Sequence, residues 1–248
     1  MKQISSSPGF PLAFLLAALL TLAPLAQAGF DEGVEAANAG DFGKAFQEFS
    51  TLAEQGDERA QQSLGWMYFE GQGRDVDYAK AAYWYRKAAE QGNITAQINL
   101  AQMYAYGQGV EQDFSQAAHW WGKLAEQGDV RSQAALGGLY YQGKGVKQDY
   151  AKAAELWRQA AEQGHVEAQL NLGLMYGKGQ GVAQDDVQAY AWLTAAATQG
   201  NEIADSSREF ALMQLDEAQR EQAEALAQEL VRKYVEPFAS SAPVEKSL

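Results

Sequence analysis

The chain has 248 residues, a formal charge of −13 and no cysteine. That acidity repels phosphate backbones and anionic lipid, which excludes nucleic acid and a bilayer surface as natural partners. Without cysteine there are no disulfides and no thiolate metal sites, so packing and hydrogen bonds alone must hold the fold.

The first element is a leader. Lys2 is the only charge before Asp31, an apolar run covers Leu12 to Leu22, and Ala26-Gln27-Ala28 follows. This is the small-x-small pattern that signal peptidase cuts, and the run is shorter than the roughly 20 residues of a spanning helix. Residues 1–28 are therefore expected to be a secretory signal cleaved after Ala28. The mature chain, from Gly29, would be periplasmic or secreted, with no stable membrane insertion after signal cleavage. Residues 29–56 then read as a capping helix pair. A helix over about Asp31–Asn38 turns through Ala39-Gly40-Asp41 into a second helix with the stripe Phe42, Ala45, Phe49 and Leu52.

From here the chain is periodic. Gln-Gly recurs at Gln55, Gln91, Gln127, Gln163 and Gln199, and Gly-x-Gly opens at Gly71, Gly107, Gly143 and Gly179, each mark 36 residues after the last. A fixed period of this size means stacked supersecondary units. In the first copy, Ala60, Leu64, Met67 and Tyr68 give a helix A one apolar stripe. Gly71-Gln72-Gly73 breaks it with two positions free to take positive φ. Asp77 is placed to cap helix B, whose stripe is Ala81, Trp84, Tyr85 and Ala88, and Gly92 stands where a glycine ends a helix. The copies cover 57–92, 93–128, 129–164 and 165–200. Position 65 stays small in all four (Gly65, Ala101, Gly137, Gly173), which lets neighbouring helices approach closely.

After Gly200 a helix over about Glu202–Leu212 begins a fifth unit, and Asp216 with Gln219 starts a last helix running to about Tyr234. Its narrow stripe, Ala223, Leu226, Leu230 and Tyr234, is expected to close the end of the stack. Residues 201–238 thus form C-terminal capping helices, and 239–248, rich in Ser, Pro and Ala, a disordered tail.

The clearest copy, Ala168-Gln169, Leu172-Gly173, Tyr176, Gly179-Gln180-Gly181-Val182 and Asp185, resembles the Sel1-like repeat, a relative of the tetratricopeptide class. The resemblance covers residues 57–200. It implies an all-α fold, a right-handed α/α superhelical solenoid of helix pairs, and a non-enzymatic scaffold that binds protein or peptide partners in the cell envelope. Cysteine-rich members of the family have been linked to penicillin binding or weak β-lactamase activity. This chain lacks their per-repeat disulfides and any catalytic serine motif, so hydrolysis of a cell-wall-related amide is the alternative reading beside the scaffold.

The residues themselves support no catalysis. The only histidines, His119 and His165, sit at different repeat positions, and the Gly-x-Gly turns lack the Gly-Lys-Ser/Thr ending of a phosphate loop. No cofactor or metal is expected. What remains is the helix A face beside the core stripe, where the copies stop agreeing with one another: Arg59, Ser63, Trp66, Glu70; Asn99, Gln102, Tyr106; Arg131, Tyr141, Gln142; Asn171, Leu174, Lys178. Aromatic anchors beside amide side chains suit an extended peptide backbone, or a glycan stacked on Trp66, Tyr106 and Tyr141. Helix B offers a rival convex surface with Arg86, Lys87, Lys123 and Arg158.

Overall fold

A computed structural model describes residues 27–239. The expected signal segment up to Ala26 and the expected tail from Ser240 on lie outside the described residues. Helix α1 covers residues 27–38 and so is already formed before the expected start near Asp31. It is followed by α2 (Phe42–Glu54), α3 (Glu58–Glu70), α4 (Tyr78–Glu90), α5 (Ile94–Tyr106), α6 (Phe114–Glu126) and α7 (Val130–Gln142). Then come α8 (Tyr150–Ala161), α9 (Val166–Lys178), α10 (Asp186–Thr198), α11 (Glu202–Met213), α12 (Glu217–Tyr234) and the short α13 (Glu236–Ala239). No strand occurs among the described residues, and consecutive helices pack as pairs. Contacts divide the chain into two compact units. The first holds the described residues up to Leu100 with Gln108–Val110, and the second holds Ala101–Gly107 with the described residues from Glu111 on.

Within a repeat, helix B ends on glutamine and a positive-φ glycine, and the next residue serves two helices. The Asp129 N–H donates to the Leu124 carbonyl, closing α6, while its carboxylate accepts from the Ser132 N–H, opening α7. Asp57, His165 and Asn201 do the same at their places. One residue thus satisfies orphan groups at two helix ends, so the link needs only three residues. The link from helix A to helix B is longer and carries the Gly-x-Gly. Its first glycine is the left-handed C-cap of helix A, as at Gly143. The second, Gly145, has φ +68° and lies against the start of the preceding helix B, where a Cβ would come within 2.2 Å of the Phe114 carbonyl carbon. The equivalent contacts are Gly73 on Phe42, Gly109 on Tyr78 and Gly181 on Tyr150.

Apolar layers fill the space between these backbone contacts. In the first unit Ala60, Leu64 and Met67 join Phe49, Leu52 and Ala53, all fully or nearly buried. Tyr85 lies across Gly65, and Trp157 across Gly137, at distances a methyl group would violate. Gly65 and Gly137 are therefore without a side chain because an aromatic ring from helix B occupies the room; at Gly173 Leu193 does so.

Buried glutamines add a polar ladder. Gln61, Gln97, Gln133 and Gln169 each donate Nε2 to the carbonyl eight residues earlier, at Ala53, Ala89, Ala125 and Ala161. In three of them Oε1 accepts from the glutamine that ends the repeat: Gln91 to Gln61, Gln163 to Gln133 and Gln199 to Gln169, each at 2.8 Å. Gln97 keeps its first bond, but its Oε1 is buried with no hydrogen-bond partner among the described residues.

At the end of the chain α12 turns back and packs along α10. Ala227 and Leu230 enter the cluster of Ala154, Ala161, Leu172, Ala191 and Trp192, and Tyr234 stacks on Trp192 with ring centroids 5.8 Å apart. The reason is compositional. The helix B positions that carry Tyr83, His119 and Glu155, or Lys87, Lys123 and Gln159, in earlier copies become Ala191 and Ala195, both fully buried. A helix apolar all round needs cover on its outer side too. The expected capping box of α12 is present, with Asp216 and Gln219 bonded reciprocally.

Two expectations follow. Gly128→Ala, at φ +87° with nothing within 4 Å of a new Cβ, should cost about 1–2 kcal/mol for the left-handed backbone alone. Gly145→Ala adds the overlap with Phe114 and should cost more than about 3 kcal/mol; equal urea midpoints for the two variants would refute the contact. Gln133→Leu leaves the Ala125 carbonyl and Gln163 without their partner, and should lower stability by about 1–3 kcal/mol in the same assay.

Candidate functional site

The structure spreads the residues expected on the helix A face over both units. In the first, Arg59, Ser63, Trp66 and Glu70 lie on α3 and Asn99 on α5. Trp66 and Glu70 are exposed. Arg59 is already engaged: it pairs with Asp57 at 2.8 Å and lies over the Phe30 ring. That engagement fixes a helix start and leaves less of Arg59 for a partner. In the second unit Gln102 and Tyr106 stand on the last turns of α5, with Tyr106 71% exposed, and Arg131 is exposed on the first turn of α7.

The other five come together. Tyr141, Gln142, Asn171, Leu174 and Lys178 line one groove of about 310 Å³ between α7 and α9. Gly138 makes the room. It stands at the helix position held by Trp66, Gln102 and Leu174 in the other copies, and a Cβ there would meet nothing within 4 Å. The apolar wall is Ala134, Ala135, Met175 and Trp157. The Tyr141 ring is held between Tyr150 (5.1 Å) and Trp157 (5.3 Å), and its hydroxyl donates to Gln180 Oε1 at 3.2 Å. Trp157 donates Nε1 to the Ala134 carbonyl at 3.0 Å. The aromatic wall is thus fixed in place, while the amides of Gln142 and Asn171 offer donor and acceptor pairs at the rim. Such a groove suits a peptide segment that inserts one apolar side chain and bonds through its backbone.

A second groove of about 320 Å³ lies between α9 and α11 and shares Leu174 and Lys178 with the first. Its lining is more apolar, and Phe210, 65% exposed, overhangs it. Sequence reading missed Trp157 and Gln180 as lining residues, because a helix B tryptophan and a turn glutamine look structural in isolation. Gly138 was visible as the odd residue in its row.

Among the described residues no group of three His, Asp or Glu side chains is placed to hold a metal ion. No helix among them is long and apolar enough to cross a membrane. His119 is exposed and packs edge-on against Trp120. His165 replaces the usual Asp or Asn as N-cap of α9, and its Nδ1 accepts the Ala168 N–H at 3.3 Å.

The Sel1 repeat family model matches residues 59–93, 94–129, 130–165 and 166–201, more than half of the chain. Two solved structures are similar over most of it. One is a Sel1 repeat protein from Oxalobacter formigenes, 38% identical, with TM-score 0.57, covering 70% of this chain and 49% of that one. The other is a protective antigen present in uropathogenic Escherichia coli strains that displays an SLR fold. It is 35% identical, with TM-score 0.50, covering 83% of this chain and 52% of that one. The chain therefore spans about half the length of either protein. No curated protein matches it.

The cap of α9 carries a pH dependence. Burial pushes the His165 pKa down, with Arg131 adding to the effect and Glu167 opposing it. A protonated Nδ1 cannot accept the Ala168 N–H. Because the folded pKa is depressed, the stabilisation is complete above the unfolded value of about 6.5 and is lost as the pH falls below it towards the folded value. His165→Asn, which caps at any pH, should retain at pH 5 the melting temperature that the parent loses relative to pH 7.5.

Proposed function

The chain belongs to the Sel1 repeat family, whose members are generally protein–protein interaction scaffolds, and on that footing we propose that it recruits a protein partner through the helix A face, without catalysis. The groove at Gly138 carries the reading. It is the place where a position that varies among the copies opens a pocket with a fixed aromatic wall and amide groups at its rim. The partner supplies an unstructured segment: one apolar side chain enters beside Gly138, and its backbone bonds to Asn171 and Gln142. Lys178 adds a cation at the mouth, which favours acidic residues flanking the inserted one. The leader-like Leu12–Leu22 run and Ala26-Gln27-Ala28 support placing this recruitment in the periplasm or outside the cell.

A photo-crosslinking residue at Gln142, in cells that produce the protein, is expected to trap one predominant partner. Gly138→Trp fills the groove with the side chain that the first copy carries at this position. It should reduce the adduct by about tenfold or more, the equivalent of at least about 1.4 kcal/mol, with no loss of melting temperature. An adduct that persists in Gly138→Trp removes the groove from the proposal.

A further inference from the structure

The helix B side of the second unit holds the largest open groove described, about 590 Å³ between α6 and α8. Its floor is Ala118, Ala125, Leu136 and Leu156, a buried apolar cluster to which Tyr140 and Val146 add their edges. One repeat further on, the corresponding positions are Ala154, Ala161, Leu172 and Trp192. There the space is filled by the chain's own α12, whose Leu226, Ala227, Leu230 and Tyr234 join that cluster. The same surface thus occurs twice, once covered by an amphipathic helix and once bare.

The bare copy also has its own shape and charge. Gly122 stands where the next copy has Arg158, whose guanidinium donates to the Tyr176 hydroxyl at 2.9 Å. At Gly122 a Cβ would meet nothing within 4 Å. The rim carries Glu126 and Glu155 against one cation, Lys152, which is already held by the hydroxyl and ring of Tyr140. His119 and Gln159 complete the polar edge.

We propose that the α6/α8 groove is a second docking site, which takes an amphipathic helix from a partner. That helix has an apolar stripe spaced like that of α12, a bulky side chain over Gly122, and basic residues facing Glu126 and Glu155. The site is separate from the α7/α9 groove and uses the opposite kind of ligand, a preformed helix instead of an extended segment. Its spacing follows from α12: apolar residues at i, i+4 and i+8 (Leu226, Leu230, Tyr234) lie on one helix face over two turns.

Two synthetic peptides test this on the full-length mature chain. One has the sequence of residues 216–236; the other carries Glu224→Lys and Glu229→Lys. Each is titrated while amide and methyl NMR signals are followed. The expected result is saturable shifts confined to Gly122, Gly128, Leu136, Val146 and Leu156, with tighter binding of the lysine peptide. Gly122→Arg, which supplies the side chain seen at Arg158, should weaken binding by about tenfold or more, about 1.4 kcal/mol. Shifts centred on Trp192 and Ala191, meaning exchange with the resident α12, would overturn the proposal. So would equal binding to Gly122→Arg, or the absence of shifts at millimolar peptide. Gly138→Trp should leave these shifts unchanged, so failure here and failure of the helix A reading are told apart.

Discussion

The structure depends on a backbone approach that only glycine permits. At Gly73, Gly109, Gly145 and Gly181 the turn between the two helices of a repeat rests on the first residue of the preceding helix B, with no side chain between them. That contact fixes how far each pair lies from the one before, and the apolar layers take their thickness from it. Within a pair, Tyr85 lies on Gly65 and Trp157 on Gly137. The glutamine ladder gives a second donor to the buried carbonyls at the end of each helix B, which already accept a turn N–H from Gly56, Gly92, Gly128 or Gly164.

Much of this was legible in the chain before any coordinates. The period, the Asp caps, the two turn glycines and the small residue at position 65 each follow from a local requirement that recurs four times. The glutamines were visible as marks, but their bonds were not: Gln61 reaches the carbonyl of Ala53 and the amide of Gln91, 30 residues away, and no local rule connects those three. The seat of α12 was not legible, because a narrow apolar stripe says only that a helix needs cover, not which surface supplies it. The clue lay elsewhere, in the replacement of polar residues by Ala191 and Ala195 on α10.

The candidate sites were legible in part for a related reason. Two grooves of the second unit open where one copy has lost a side chain that its neighbours keep: Gly138 against Trp66 and Leu174, Gly122 against Arg86 and Arg158. Reading the variable row located the helix A face. The depth of each groove depends on neighbours contributed by other helices, Trp157 and Met175 in one case, Leu136 and Leu156 in the other. In such an array a binding surface arises by subtraction from a uniform wall, and the fold-keeping residues around it stay untouched.

The resting place of α12 also bears on how such a chain can change its length. Each unit bonds mainly to the one before it, so a 36-residue duplication or deletion upstream would splice in with its turns and ladder intact. The last copy is different, because Ala191 and Trp192 belong to the cluster that seats α12, and Ala195 on the same helix is fully buried. A duplicate of an earlier copy inserted just before α11 would present α12 with counterparts of Glu155 and Gln159 in place of those alanines. The terminus of the array is therefore encoded in its final helix pair, and growth over evolutionary time is confined to the copies ahead of it.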